Sequence, residues 1–157
     1  MIFRVAEEAD IEQIQQLRHF VNGNISTDTN PVSDKDMASR ISEKGKGWIC
    51  LVKGQLAGFA IVDLKEKYLW ALSVHPEYTE NEIEKKLHCL MASWYFEKTK
   101  DKLTLRITSD TLTERFYKLQ GWSPAVNCNT PEVRMELNYA DWQKRAFFNR
   151  DNYSVSW

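Results

Sequence analysis

Nowhere in the chain do apolar residues run for the ~18–20 positions that a membrane-crossing helix needs, so no membrane partner is expected. An excess of one charge is missing too. The 21 basic residues against 22 acidic ones leave a net charge of −1, which gives no electrostatic case for nucleic acid. Cysteine is sparse and odd in number: Cys50, Cys89 and Cys128 are far apart, which predicts reduced thiols and a cytoplasmic address rather than a disulfide framework. The opening MIFRVAEEAD turns acidic at once and carries no apolar leader segment, which points the same way. His19, His75 and His88 stand alone without metal-ligand spacing, so no metal is expected. Glycine is low, at 6 in 157 residues, and its scarcity matters most at one helix entry considered below. What the chain does have is 43% hydrophobic residues and 27% charged ones in a length suited to one domain with its own core.

The patterning predicts an alternating order of elements. IFRVA alternates like a short strand, and Ile11, Ile14, Leu17 and Val21 keep helical spacing, with Asp10 as N-cap and Gly23 as stop. The polar segment 22–33 reads as a loop, after which Ser33 and Asp36 open a short helix carrying Met37 and Ile41, broken by GKG at 45–47. WICLV and LAGFAIVDL form a hairpin across Lys53-Gly54-Gln55, and YLWALSV at 68–74 is a further buried strand. Ile83, Leu87, Leu90, Met91 and Trp94 mark the longest helix, from about Glu80 to Lys98. LTLRI at 103–107, the helix TERFYKLQ, and strands near 125–128 and 133–137 complete the order.

That order, with SVHPEY-x-x-x-x-I-x-KKL before the long helix and FYKLQGW after the next strand, resembles the GNAT-type N-acetyltransferases. The resemblance runs from about residue 2 to residue 138, leaving an aromatic-rich C-terminal extension at 139–157 that packs on the same domain. It implies an α/β fold, a twisted six- to seven-stranded mixed sheet flanked by about four helices, whose fourth and fifth strands splay apart. Acetyl-CoA would lie in the splay as co-substrate. Its pantetheine arm would pair with backbone at Leu72, Ser73 and Val74, and its pyrophosphate would meet the start of the long helix, over Thr79 to Lys85. The N–H groups and dipole of a helix start make an anion site in general.

Relatives write Q/R-x-x-G-x-G/A at this helix entry, because small residues let phosphates approach the backbone. Here Thr79 takes the first position, and Glu82 and Glu84 take the two small ones; Glu80 adds another acid beside Asn81, before Ile83. Only Lys85 and Lys86 oppose them. Thr79-Glu80-Asn81-Glu82 also reads as a capping box, in which the helix satisfies itself with its own carboxylates. Repulsion of a phosphate at ~4 Å would cost about 1 kcal/mol in water and about 4 at an effective dielectric of 20. The residues therefore predict a self-capped helix with weakened phosphate binding.

The resemblance further implies that an amine attacks the thioester directly, with Tyr117 as general acid and the N–H of Val74 or Ser73 on the carbonyl oxygen. No base stands out. Asp63 is a weak second choice after water, and Asp110 occupies the position of a family asparagine near the cofactor arm. His75 is read as structural, and Cys89 beside His88 is not a dyad, because neighbouring helix residues point apart. In the tail, Trp142, Phe147, Phe148, Tyr153 and Trp157 suggest a short helix and arm packed on the domain's own surface, or else a homodimer contact or a plug over the acceptor cleft. Two functions stay open. One is acyl transfer from acetyl-CoA to a small-molecule or protein amine. The other is a binding or regulatory module of the same fold with lost CoA affinity.

Overall fold

The computed structural model describes residues 1–24, 32–78, 82–108, 111–125 and 132–149. In chain order these form β1 (Ile2–Val5), α1 (Ile11–Asn24), α2 (Asp34–Ser42), β2 (Gly45–Val52), β3 (Gln55–Asp63) and β4 (Tyr68–Val74). There follow α3 (Ile83–Lys98), β5 (Leu103–Thr108), α4 (Thr111–Leu119), β6 (Ser123–Pro124), β7 (Glu132–Leu137) and α5 (Tyr139–Asn149). One seven-stranded sheet takes the order β1-β2-β3-β4-β5-β7-β6. Only the β4–β5 contact is parallel, so the sheet is mixed, as expected.

Alternation of side chains along the strands splits the core in two. On one face, Ala57, Ala60, Leu69, Val74, Leu103, Leu105 and Met135 meet Leu87, Met91 and Trp94 of α3, with Tyr117 and Trp142 joining from α4 and α5. On the other, Ile49, Phe59 and Ile61 meet Ile11, Ile14 and Leu17 of α1 and Met37 and Ile41 of α2. Helices α3, α4 and α5 thus cover one face, while α1 and α2 cover only the β1–β4 part of the other.

Several local expectations are corrected. Asp10 does not cap α1: its carboxylate accepts from the Glu7 N–H (2.8 Å) and takes a bidentate pair from Arg4 (2.8 Å each), closing a short turn at Glu8–Asp10. The Arg4 hydrogen bonds hold its carboxyl below the usual carboxylate range. Gly23 does not stop α1, which runs on to Asn24. Gly45 and Gly47 belong to β2 instead of breaking a helix, and Gly45 is small for a packing reason: a Cβ there would fall 1.8 Å from Val62 O. The Ser33 cap forms as expected, accepting from Asp36 N–H at 3.1 Å. The penultimate strand is two residues long at Ser123–Pro124, ahead of the 125–128 expected, and residues 126–128 lie outside those described. Five α-helices flank the sheet rather than four, since the tail supplies α5. Its Trp142 is buried, stacked 6.5 Å from Phe96 and tilted against His88 at 5.9 Å. The side chains of Phe147 and Phe148, and residues Tyr153 and Trp157, lie outside the described set.

Candidate active site

The site is made by a sheet that comes apart. β4 and β5 share a single register pair, Tyr68↔Thr104, among the described residues, and beyond it they diverge. On its other edge β4 is fully paired with β3, with an irregularity where Ile61 faces Ala71 and Val62 faces Leu69, so that Trp70 bulges out of the ladder. The backbone of β4 is therefore satisfied on the β3 side and open on the β5 side.

Which residues open toward the gap follows from one hydrogen bond. The His75 N–H donates to Ala57 O at 2.7 Å, so in this antiparallel pair residues 73 and 75 turn their polar groups to β3. Leu72 and Val74 then turn theirs toward β5. Of the two N–H groups expected to face a ligand, that of Val74 points into the splay and that of Ser73 into the sheet. Gly58, opposite Val74, lets α3 press close here: an added Cβ would lie 3.0 Å from Ser73 O and 3.1 Å from Leu87 Cδ1.

The entry to α3 differs from the capping box that the sequence suggests. The helix begins at Ile83, and Glu82 is its N-cap residue, with φ 59°, ψ 15° and no side-chain capping bond. Glu82 therefore cannot be the third helical residue that a box with Thr79 requires; Thr79, Glu80 and Asn81 lie outside the described residues. A left-handed backbone costs an ordinary residue roughly 1–2 kcal/mol and a glycine almost nothing. Glu82 stands where relatives carry a small residue, and it keeps a glycine's conformation with its side chain exposed. The first helical hydrogen bond runs from Lys86 N–H to Glu82 O (3.1 Å), so the N–H groups of Ile83, Glu84 and Lys85 have no partner within the helix.

Glu84 is the acid that points inward. It is half-buried, and burial pushes its carboxyl up toward the neutral form. It also acts on Tyr117, whose hydroxyl is pushed up by burial first, then by Glu84 and by Tyr68 of β4. Tyr117 is 6% exposed, its ring edge-on to Trp122 (5.5 Å) and tilted against His88 of α3 (6.3 Å). The tyrosine thus lies on the α3 face, in the core cluster that joins α3 to the sheet. The Lys86 Nζ sits 4.5 Å from the Phe3 ring of β1.

Other candidates separate from this region. Asp63 is buried and accepts the Glu66 N–H at 2.8 Å, which makes it a cap of the β3–β4 turn and not a base. His75 accepts the Glu77 N–H through Nδ1 (3.1 Å) and stacks on Phe20 (4.8 Å), a structural role. The His88 Nε2 accepts from Trp122 Nε1–H at 2.8 Å within the core, and Cys89 contacts Ser93 (4.0 Å), so the two form no dyad. Asp110 lies outside the described residues. No group of three metal-ligating side chains occurs among the described residues. Sequence reasoning missed the Trp70 bulge, and with it a pair of arginines, Arg18 and Arg40, whose guanidinium carbons lie 5.4 Å and 4.6 Å from the Trp70 ring. Trp70 appeared only as a letter in a buried strand, and an extra residue in a ladder leaves no mark in the sequence.

The fold is shared with solved acetyltransferases. The ribosomal-protein-S18-alanine N-acetyltransferase of Escherichia coli superposes with a TM-score of 0.69 at 18% identity, covering 88% of this chain and 93% of its own. The PaiA N-acetyltransferase of Thermoplasma acidophilum, solved with coenzyme A, gives 0.73 at 16% identity, covering 88% and 100%. A phosphinothricin acetyltransferase of Sinorhizobium meliloti, solved with acetyl-CoA, gives 0.73 at 15% identity, covering 87% of each chain. At such identities the likeness establishes the fold. No curated protein sequence matches the chain. The family itself comes from the sequence, because the model described as "Acetyltransferase (GNAT) domain" matches residues 11–136, from the first helix through the last strand, and so this chain belongs to the GNAT acetyltransferase family.

Proposed function

We propose that the protein transfers an acetyl group from acetyl-CoA to an amine by direct attack. What supports this is the open backbone of Leu72 and Val74 beside the splay, together with a first turn of α3 whose N–H groups have no partner within the helix and a buried Tyr117 on the same face of the sheet. The groups present fit the co-substrate. Alternating donors and acceptors at 72 and 74 suit an amide-bearing pantetheine arm. The α3 start, with Glu82 in a conformation that glycine normally supplies, suits a pyrophosphate. Strain of this sort in an exposed residue persists where the surroundings require that backbone path.

The chemistry balances simply. The amine nitrogen attacks the thioester carbon, a C–N bond forms and the C–S bond breaks, and the surplus amine proton leaves to water. Charge developing on the carbonyl oxygen meets the Val74 N–H. The departing thiolate, with a solution pKa near 8.5, takes a hydrogen bond and then a proton at the Tyr117 hydroxyl. Raising the tyrosine's pKa keeps it protonated in wait, and weakens it as an acid. Its main contribution is therefore a donated hydrogen bond in a dry site, with the proton replaced from water after departure. Glu84 supports binding when neutral and opposes it when ionised.

Calorimetric or thermal-shift titration with acetyl-CoA near 1 mM tests the proposal. Ligand at 100 times its Kd adds about 2.7 kcal/mol, a shift of several degrees for a domain of this size. No shift, together with no thiol release in the presence of amines, would favour a binding or regulatory module in place of a transferase.

A further inference from the structure

The acetyl-CoA side of the sheet is the α3 face, which holds the helix start and Tyr117, so under the proposed function the acceptor amine arrives from the opposite face. That face carries an unusual concentration of guanidinium groups. On β5, Leu103, Leu105 and Ile107 point to the α3 side, as do Val133, Met135 and Leu137 on β7. Arg106 and Arg134 therefore point to the acceptor side. They are direct cross-strand partners and both are exposed. Like charges directly opposite one another, with Cβ atoms about 5 Å apart, destabilise a sheet. Among the described side chains, Glu136 pairs with Lys102 at 3.1 Å, and Glu66 is the one carboxylate that lines the same hollow as the two arginines. Among the described residues, neither Arg106 nor Arg134 forms an ion pair.

Across the splay, Trp70 carries Arg40 and Arg18 over its ring on the same side of the sheet. The Arg40 Nε is buried and has no hydrogen-bond partner. Trp70 and Arg106 each lie two residues beyond the Tyr68↔Thr104 bridge, so the two basic groups flank one opening. Beside that bridge, over β4, β5 and β7, is a hollow of about 300 Å³ lined by Glu66, Tyr68, Thr104, Arg106 and Arg134. In a chain of net charge −1, Arg18, Arg40, Arg106 and Arg134 lie on this one face of the sheet.

We propose that the acceptor is a small amine that also bears an anionic group, a carboxylate or a phosphate, held by Arg106 and Arg134 with Arg40 facing it across the cleft. Planar guanidinium forks match both oxyanions in bidentate fashion. Glu66, in the same hollow, supplies the charge complement for the ammonium end of such a molecule. The proposal rests on the transferase reading for the direction of approach, and its test separates the two.

Thiol release is measured at saturating acetyl-CoA with matched pairs: glycine against glycinamide, glutamate against its diamide, and O-phosphoethanolamine against ethanolamine. The anionic member of at least one pair is expected to show kcat/KM at least about tenfold higher, and the responding pair names the group. Arg106→Gln, an exposed change that spares the core, should raise KM for that member about fivefold or more with kcat little altered; Arg40→Gln should do the same. If neutral partners are used as well as the anions, or the preference survives both substitutions, the proposal is wrong. An Arg40→Gln that lowers only the melting temperature would assign that residue to packing and overturn its part. If no amine gives turnover, the same compounds are titrated by calorimetry: binding by wild type that is lost in Arg106→Gln upholds the anion site while the transferase reading fails, and no binding by wild type overturns the site.

Discussion

Replacing Glu82 by glycine should stabilise this protein, although a glycine inside a helix is ordinarily costly. Glu82 sits at φ 59°, ψ 15°, outside the first turn of α3, and makes no capping bond. Relief of the left-handed conformation is worth roughly 1–2 kcal/mol, and the greater freedom of glycine in the unfolded chain takes back about 0.5–1. The net gain is about 0.5–1 kcal/mol, which moves Tm upward by roughly 1–4 °C for a domain of this length. Thermal and urea melts of wild type, Glu82→Gly and Glu82→Ala, at one pH and without ligand, measure it. Alanine relieves no backbone strain and should leave Tm nearly unchanged. A loss of about 1 kcal/mol in Glu82→Gly, the usual cost of glycine inside a helix, would refute the left-handed assignment and restore the capping box. The same variant loses one exposed negative charge near the helix start. At ~4 Å in water that charge is worth about 1 kcal/mol against a phosphate, so acetyl-CoA should bind up to about fivefold more tightly. The two effects separate, because one appears without ligand and the other only as the shift on adding it.

Further expectations follow from the residues around the gap. Glu84, with its carboxyl pushed up by burial, takes up a proton above the ordinary carboxylate range, so acetyl-CoA affinity should rise as pH falls from neutral toward that range. In Glu84→Gln the affinity should be high and flat with pH, and a wild-type profile equally flat would remove Glu84 from the phosphate region. The sign for stability is the same: a carboxyl raised on folding contributes fully below its unfolded pKa, and that contribution is lost as pH rises through the folded value. Melting curves of Glu84→Gln against pH should lack this component. Tyr117→Phe should lower kcat about 10²-fold while leaving acetyl-CoA binding intact, and an unchanged rate would show the tyrosine to be packing alone. Trp122→Phe removes the 2.8 Å bond to His88 Nε2 inside the core and should cost about 1–3 kcal/mol in urea denaturation; a smaller loss would mean that water reaches the imidazole.

Much of this protein was legible in its letters, because the strongest signals are periodic. The apolar stripe of Ile83, Leu87, Leu90, Met91 and Trp94 specifies a helix with a buried face whatever surrounds it, and all five residues are buried. The Ser33 cap depends on atoms three residues apart, and it forms as read. The order of elements, with its two local motifs, was enough to place the chain in a fold and a family. What the sequence could not decide were features where distant segments set the backbone. Glu82 is a good first-turn residue by its chemistry, yet its backbone is left-handed and the helix starts after it, at Ile83. Gly45 reads as a breaker, but the close approach of Val62 makes it the only residue type that fits in a strand. Asp63 reads as a candidate base until the turn it caps is seen. The separation of β4 from β5, the bulge at Trp70, and the meeting of Arg106 with Arg134 each depend on register between strands far apart in sequence. Local propensity fixes which residues form strands and helices; register is fixed by packing against the rest of the sheet, and in this protein the gap and the proposed site lie where that register gives way.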